Sequence, residues 1–299
     1  MGKRQAGLPP LPASVNRRAR LRTIGLVLVV ALLPGTAFTD EAWELGIQPF
    51  ASPQALFQRY APLREWLADL RQAPVHLEAS RDFPRFIERL SEERYDVAIV
   101  APHVVPLLGE TSAYRPIARS RNTLAMIIVA PVNAPHRQLT DLEDATLATP
   151  ARHSLGTRLA SERIRAVFDT EDPPIHYLEF PHHNAAAAAM QRGLAEAAVL
   201  VIDARALESP RSPQEGPRTI ALADGSLVRI LAQSDPFPGV TIVLHQRVQT
   251  NDLDLQTQLL ELSNTTSGQQ RLRAFGHSRG FEPASPEDYE AFRSLLREH

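Results

Sequence analysis

Trp43-Glu-Leu-Gly-Ile-Gln-Pro-Phe50 runs without a break into Ala51-Ser-Pro-Gln-Ala-Leu-Phe-Gln-Arg-Tyr-Ala-Pro-Leu-Arg-Glu-Trp-Leu67. The first stretch is apolar at alternate and central positions, which predicts a buried strand over Glu44–Phe50. The second repeats its apolar residues at helical spacing. It predicts a helix over Pro53–Leu70 that turns Leu56, Phe57, Tyr60, Leu63, Trp66, Leu67 and Leu70 inward. Ser52 and Pro53 have the chemistry of an N-cap and a first helical residue. The hydroxyl accepts from an otherwise unpaired amide, and proline has no amide to leave unsatisfied.

The same alternation continues downstream. Val75–Glu78 reads as a short strand and Phe83–Leu90 as a helix with Phe83, Phe86, Ile87 and Leu90 inward. Tyr95-Asp-Val-Ala-Ile-Val-Ala-Pro102 is a continuous apolar run, as expected of a strand buried on both faces. Tyr114–Ser120 and Thr123–Pro131 read as long strands joined by the tight Arg121-Asn122 turn, suited to pass between two lobes. A second block follows: strand Ala145–Thr149, helix Gly156–Phe168, strand Ile175–Phe180, alanine-rich helix Asn184–Arg192 and strand Ala197–Asp203. Ser209–Pro217 is polar and proline-bearing, a surface loop. Leu227–Leu231 and Val240–His245 return as strands, and Asp252–Leu262, Ser267–Phe275 and Pro286–Leu296 form a helical tail. This order predicts an α/β fold built on open sheets with helices on both faces.

Residues 1–37 are of another kind. They carry Lys3, Arg4, Arg17, Arg18, Arg20 and Arg22, no acidic residue, and the apolar run Ile24–Leu33. Pro34 and Gly35 break a helix there, and Gly35-Thr36-Ala37 offers small residues for cleavage. That is the plan of a secretory signal peptide. The apolar run is about half the roughly 20 residues a spanning helix needs, so an uncleaved N-terminal anchor is the weaker alternative.

No cysteine occurs, which excludes disulfides, thiolate metal sites and a lipid-modified cysteine. An exported chain of this kind is held by core packing alone. Without residues 1–37, 26 basic residues face 34 acidic ones, and the formal charge moves from −2 to −8. Nucleic acid is therefore not an expected partner, because phosphate-backbone binding needs a dominant basic face. A small anion remains compatible, since backbone amides and helix ends hold one locally.

In open α/β sheets ligands bind beyond the carboxyl ends of strands, where helix N-termini also point. Phe50-Ala-Ser-Pro53 and Pro102-His103 follow two strands of the first block. Thr149-Pro-Ala-Arg-His-Ser-Leu-Gly-Thr157 is the best anion candidate: Ser154, Thr157 and free amides at the helix start could hold an oxyanion. Pro181-His-His-Asn184 stands in the equivalent place. Adjacent histidines seldom both reach one ion, so a strand-end turn with one histidine facing the cleft is favoured over a metal site. Asp203 either receives a donor from a ligand or caps Ala204–Leu207. There is no Gly-x-Ser-x-Gly elbow, no phosphate loop ending in Gly-Lys and no His-Glu-x-x-His, so nothing demands catalysis.

Several stretches together carry a resemblance. Leu45-Gly-Ile-Gln-Pro-Phe-Ala-Ser-Pro-Gln-Ala-Leu56, Tyr60-Ala-Pro-Leu-Arg-Glu-Trp-Leu67, Tyr95-Asp-Val-Ala-Ile-Val-Ala-Pro102, Phe180-Pro-His-His-Asn-Ala-Ala-Ala187, Ser234-Asp-Pro-Phe-Pro238 and Gly280-Phe-Glu-Pro-Ala-Ser-Pro-Glu-Asp-Tyr289 stand in the family's order. The chain resembles the periplasmic phosphate/phosphite/phosphonate-binding proteins of ABC importers, within the type 2 periplasmic binding protein superfamily.

That resemblance implies two α/β lobes joined by two crossing strands. Residues 44–125 plus 233–299 would form lobe 1 and 132–232 lobe 2, closing on a small oxyanion for a membrane ABC permease. It also implies a monomer in the periplasm, without cofactor or metal. Where the family usually carries Ser-Thr-Ser-Gly, this chain has His153-Ser-Leu-Gly156, keeping the glycine and one hydroxyl. By the same resemblance Phe50 and His103 stand where family members have aromatic contacts, and His183 matches a histidine of the second anion loop. Asp203 falls near an acid that recognises an amino group, but the region of Val240, where a second such acid can sit, is apolar. A ligand-sensing module for a signalling protein is the alternative reading of the same fold.

Overall fold

β1 (Trp43–Ile47), α1 (Pro53–Arg71), β2 (Val75–Ala79), α2 (Phe83–Ser91), β3 (Val97–Val100), α3 (Val105–Leu108) and β4 (Tyr114–Ser120) open the chain. They belong to a computed structural model that describes residues 42–109, 112–208, 218–222, 224–248 and 254–296. The expected signal at 1–37 and the expected loop Ser209–Pro217 lie outside the described residues. β1 sits between β2 and β3 and runs parallel to both. Its Trp43, Leu45 and Ile47 meet Leu56, Tyr60, Leu63, Trp66 and Leu67 of α1 in one apolar cluster. The helix starts as its sequence predicts, with Ser52 Oγ accepting from the Ala55 amide at 3.3 Å.

Phe57 departs from the expected inward set and is 48% exposed. It lies about 100° round the helix from Leu56, just past the stripe that already faces the sheet. Gly46 has a steric reason: a Cβ there would stand 2.6 Å from the buried Tyr95 ring.

β5 (Thr123–Pro131), β6 (Thr146–Pro150), α4 (Leu155–Phe168), β7 (His176–Phe180), α5 (His183–Gln191), β8 (Ala197–Asp203), β9 (Thr219–Ala221), β10 (Leu227–Gln233) and β11 (Phe237–Pro238) build a second sheet. Its order is β7-β6-β8-β5-β10-β9, with β11 paired to β5. The chain then returns through β12 (Thr241–His245), α6 (Leu255–Glu261), α7 (Thr266–Ala274) and β13 (Phe281–Pro283). These complete the first sheet in the order β13-β4-β12-β3-β1-β2.

The chain therefore crosses between the sheets twice, at Arg121–Asn122 and at Gly239–Val240. The two crossings are bonded to each other. The Ser120 amide donates to the Val240 carbonyl at 2.9 Å, and Phe237 and Pro238 pair with Leu124 and Thr123. A Cβ at Gly239 would lie 2.6 Å from the Asn122 carbonyl oxygen, so the close approach needs glycine. This is the two-lobed α/β architecture with two crossing strands.

The tail differs from expectation in one element. Residues Pro286–Phe292 and Ser294–Leu296 form 3-10 turns instead of an α-helix. Tyr289, Phe292 and Leu295 are buried at intervals of three, which matches the three residues per turn of that helix. No helix among the described residues is long and apolar enough to cross a membrane.

Candidate ligand-binding cleft

Parallel strands bring their carboxyl ends to one edge of a sheet, and loops from both sheets meet there. Residues after β1, β3, β6 and β7, the end of β8, both crossings and the segment after α7 line a cleft of about 450 Å³.

The wall from the second sheet holds Ser154, Leu155, Gly156, His183, Asn184, Val201, Ile202 and Asp203. Two helices begin on it. Ser154 caps α4 by accepting from the Thr157 amide at 3.2 Å. The Leu155 and Gly156 amides lie in the first turn, where helix geometry supplies no intrahelical acceptor. His182 caps α5, its Nδ1 accepting from the Ala185 amide at 3.2 Å. Both helix starts add positive potential where an anion would sit.

Gly156 keeps this corner open. A Cβ there would stand 2.8 Å from His183 Cε1 and 2.9 Å from Val201 Cγ2. His183 Nδ1 is enclosed and has no hydrogen-bond partner. Burial lowers the ring's pKa to about 4, against an opposing hydrogen bond to the Val199 backbone. The ring is therefore neutral at neutral pH. Its other nitrogen donates to Val199, which leaves Nδ1 as a lone-pair acceptor beside the cleft.

On the opposite wall stand Gln48, Phe50, Arg59, Tyr60, Ala101, Pro102, Ser120, Asn122, Gly276 and His277. Gln48 Oε1 accepts from the Ala101 amide at 2.7 Å, so its amino end is the donor left over. His277 is buried, with its pKa lowered to about 4 by burial and then by the Arg59 charge. It bridges Ser120 Oγ at 3.1 Å and faces Tyr60 Oη at 3.5 Å.

Of the residues singled out in the sequence, Phe50, Ser154, Gly156, His183 and Asp203 line the cleft. Asp203 is already engaged: it caps Ala204–Leu207 and accepts from Arg205 at 2.9 and 2.6 Å. Arg205 accordingly lowers its pKa. Ser52, Thr157, His103 and His153 are not among the lining residues. Ser52 acts as a cap behind Phe50. Thr157 is buried and donates its hydroxyl to the Pro150 carbonyl at 3.0 Å, so its proton is spent inside the fold.

His103 is buried and its Nε2 donates to the His153 carbonyl at 2.9 Å. Phe83 stacks on both rings, with centroids 6.0 Å from His103 and 5.6 Å from His153. His103 and Phe83 thus brace the loop that carries His153 into α4. Adjacent His182 and His183 diverge to separate tasks, and no cluster of metal-ligating side chains occurs among the described residues.

Sequence reasoning missed Gln48, Arg59, Asn122 and His277. A polar residue closing an apolar strand was a usable signal for Gln48. Nothing local marks His277, which meets Ser120 across 157 residues of chain.

A match to the family described as ABC transporter, phosphonate, periplasmic substrate-binding protein spans residues 45–289. No curated protein matches the chain. Among solved structures, a binding protein component of a phosphonate ABC transporter from Pseudomonas aeruginosa aligns with a TM-score of 0.69. The identity is 14%, over 85% of each chain. PhnD1 of Prochlorococcus marinus, solved in complex with methylphosphonate, aligns with a TM-score of 0.67 and 14% identity, over 85% of this chain and 96% of its own. A Xanthomonas citri protein solved with ATP gives 0.60 and 16%, over 85% and 95%. At such identities the structural likeness speaks to the fold.

Proposed function

Since the chain belongs to the family of periplasmic substrate-binding proteins of phosphonate ABC transporters, we propose that its cleft captures a phosphorus oxyanion and delivers it to a membrane permease. The family is one of transport proteins, not enzymes, and its place is the periplasm. The observation that carries the ligand reading is the second-sheet wall: two helix starts and the enclosed, unpartnered His183 Nδ1 converge on one corner. The Leu155 and Gly156 amides donate to the oxyanion, and His183 accepts from its protonated oxygen, while the Ser154 hydroxyl, which donates to Thr157 Oγ1 at 3.0 Å, fixes the helix start behind them. Phe50 covers the ligand from the other wall. Ser52, Thr157, His103 and His153 hold these groups in place.

Capture works by closure. Residues 44–125 with 233–299 move against 132–232, and contacts on both walls favour the closed population. Residues 1–37 act as the export signal, and the protein works as a monomer. The Prochlorococcus and Xanthomonas proteins, solved with methylphosphonate and ATP, each hold a ligand with a phosphorus oxyanion, in keeping with this reading.

A thermal-shift panel of phosphate, phosphite, methylphosphonate, aminoethylphosphonate and sulfate tests the proposal. A true ligand at about 100 times its Kd adds about 2.7 kcal/mol and raises Tm. Silence across all the phosphorus oxyanions would overturn it.

A further inference from the structure

The first-sheet wall carries a charge with no counterpart. Arg59 lies on α1 beside the buried Tyr60 and lines the cleft. Its Nε is 3.1 Å from where a Cβ on Gly276 would stand, so the guanidinium lies over bare backbone. No hydrogen bond or ion pair holds it among the described residues. That is unusual in a chain whose acidic residues outnumber basic ones once residues 1–37 are set aside. The one carboxylate lining the cleft, Asp203, is bound on both oxygens by Arg205.

The other groups on the first-sheet wall agree with this charge. Gln48 has only its amino end left to offer, because its oxygen is taken by Ala101. Asn122 can present its unpaired oxygen or, by a half-turn, its amino end. Val240 and Phe237 are apolar, so no second acid is present to meet an ammonium group. The cleft, at about 450 Å³, is also far larger than a bare tetrahedral anion. It falls in the range of roughly 300–1,000 Å³ that accommodates ligands with an organic body.

Two anion-seeking anchors thus face each other, helix starts on one wall and a guanidinium on the other. We propose that Arg59 makes this cleft select phosphonates that carry a second anionic group, such as a carboxylate, over alkyl- and aminoalkylphosphonates. The inference rests on the oxyanion reading above. A carboxylate matches the planar donor fork of arginine. An ammonium group would meet repulsion there.

Calorimetric titration of the purified protein with ethylphosphonate, aminoethylphosphonate and phosphonoacetate decides the matter. Phosphonoacetate is expected to bind about tenfold or more tightly than ethylphosphonate, the scale of one charge-assisted hydrogen bond. Aminoethylphosphonate should be the weakest. Arg59→Gln should shrink the phosphonoacetate-to-ethylphosphonate ratio toward one, and Arg59→Lys should restore part of it. Arg59 is exposed, so both variants should fold, which circular dichroism checks. Equal affinities in the unaltered protein, or a ratio that survives Arg59→Gln, would overturn the role of Arg59. Binding of no phosphonate at all would overturn the oxyanion reading itself.

Discussion

Replacing Gly156 with alanine sets two effects against each other. Alanine favours a helix over glycine by up to about 1 kcal/mol, and less in a first turn. The added methyl, however, would stand 2.8 Å from His183 Cε1 and 2.9 Å from Val201 Cγ2. Both contacts fall at least about 0.6 Å inside the roughly 3.5–4.0 Å at which carbons rest. Val201 sits in β8, within the sheet, so His183 and the start of α5 must give way. Overpacking of this kind costs about 1–3 kcal/mol, so the steric term wins and the net loss is about 1–2 kcal/mol. For a chain of this size that is a fall in Tm of about 2–8 °C. Moving His183 also displaces Nδ1 from the anion corner, so affinity for a phosphorus oxyanion should drop about tenfold or more. Thermal denaturation and calorimetric titration on Gly156→Ala give both numbers. An unchanged Tm together with unchanged affinity would refute the argument that this corner is filled to contact and faces the ligand.

Acidification should weaken the fold. Burial lowers the pKa of His103 and His277 from 6.5 to about 4, so the folded state favours their neutral forms. The stability each supplies is complete above 6.5 and lost as pH falls toward 4, about 3 kcal/mol apiece against a total of about 5–15. Urea midpoints that stay level from pH 7 to 4.5 would contradict this. Ser52→Ala should remove the α1 cap and cost about 1 kcal/mol, read from chemical denaturation. Gly239→Ala drives a methyl to 2.6 Å from the Asn122 carbonyl at the paired crossings. It should destabilise by about 1–3 kcal/mol, whereas a neutral effect would show that the crossings can part freely.

Most of the fold was legible because its elements are strongly periodic. The Leu56-to-Leu67 stripe, the all-apolar Val97–Val100 strand and the Ala197–Asp203 strand announce themselves by spacing alone. Phe57 and the tail misled for one reason: periodicity identifies a stripe but not its edge, nor whether the turn holds three residues or 3.6. The cleft was legible only as a set of strand ends. Which side chain at each end turns inward is decided by partners remote in sequence. His103 and His183 both follow a strand, yet one is drawn to the His153 carbonyl, away from the cleft lining, and the other borders Gly156. Arg59 was hidden by a different cause. On a helix surface an arginine looks like solvated charge until Gly276 and the second sheet are seen around it.

If His183 takes the part proposed for it, its lone pair makes the cleft a counter of protons. A neutral acceptor aimed at an oxyanion repels a bare oxygen and welcomes one that carries hydrogen. Phosphate and phosphonate monoanions bring that hydrogen to neutral solution, whereas sulfate, of nearly the same shape, has none to offer. In that role, one unpartnered nitrogen would separate two anions that size and geometry cannot.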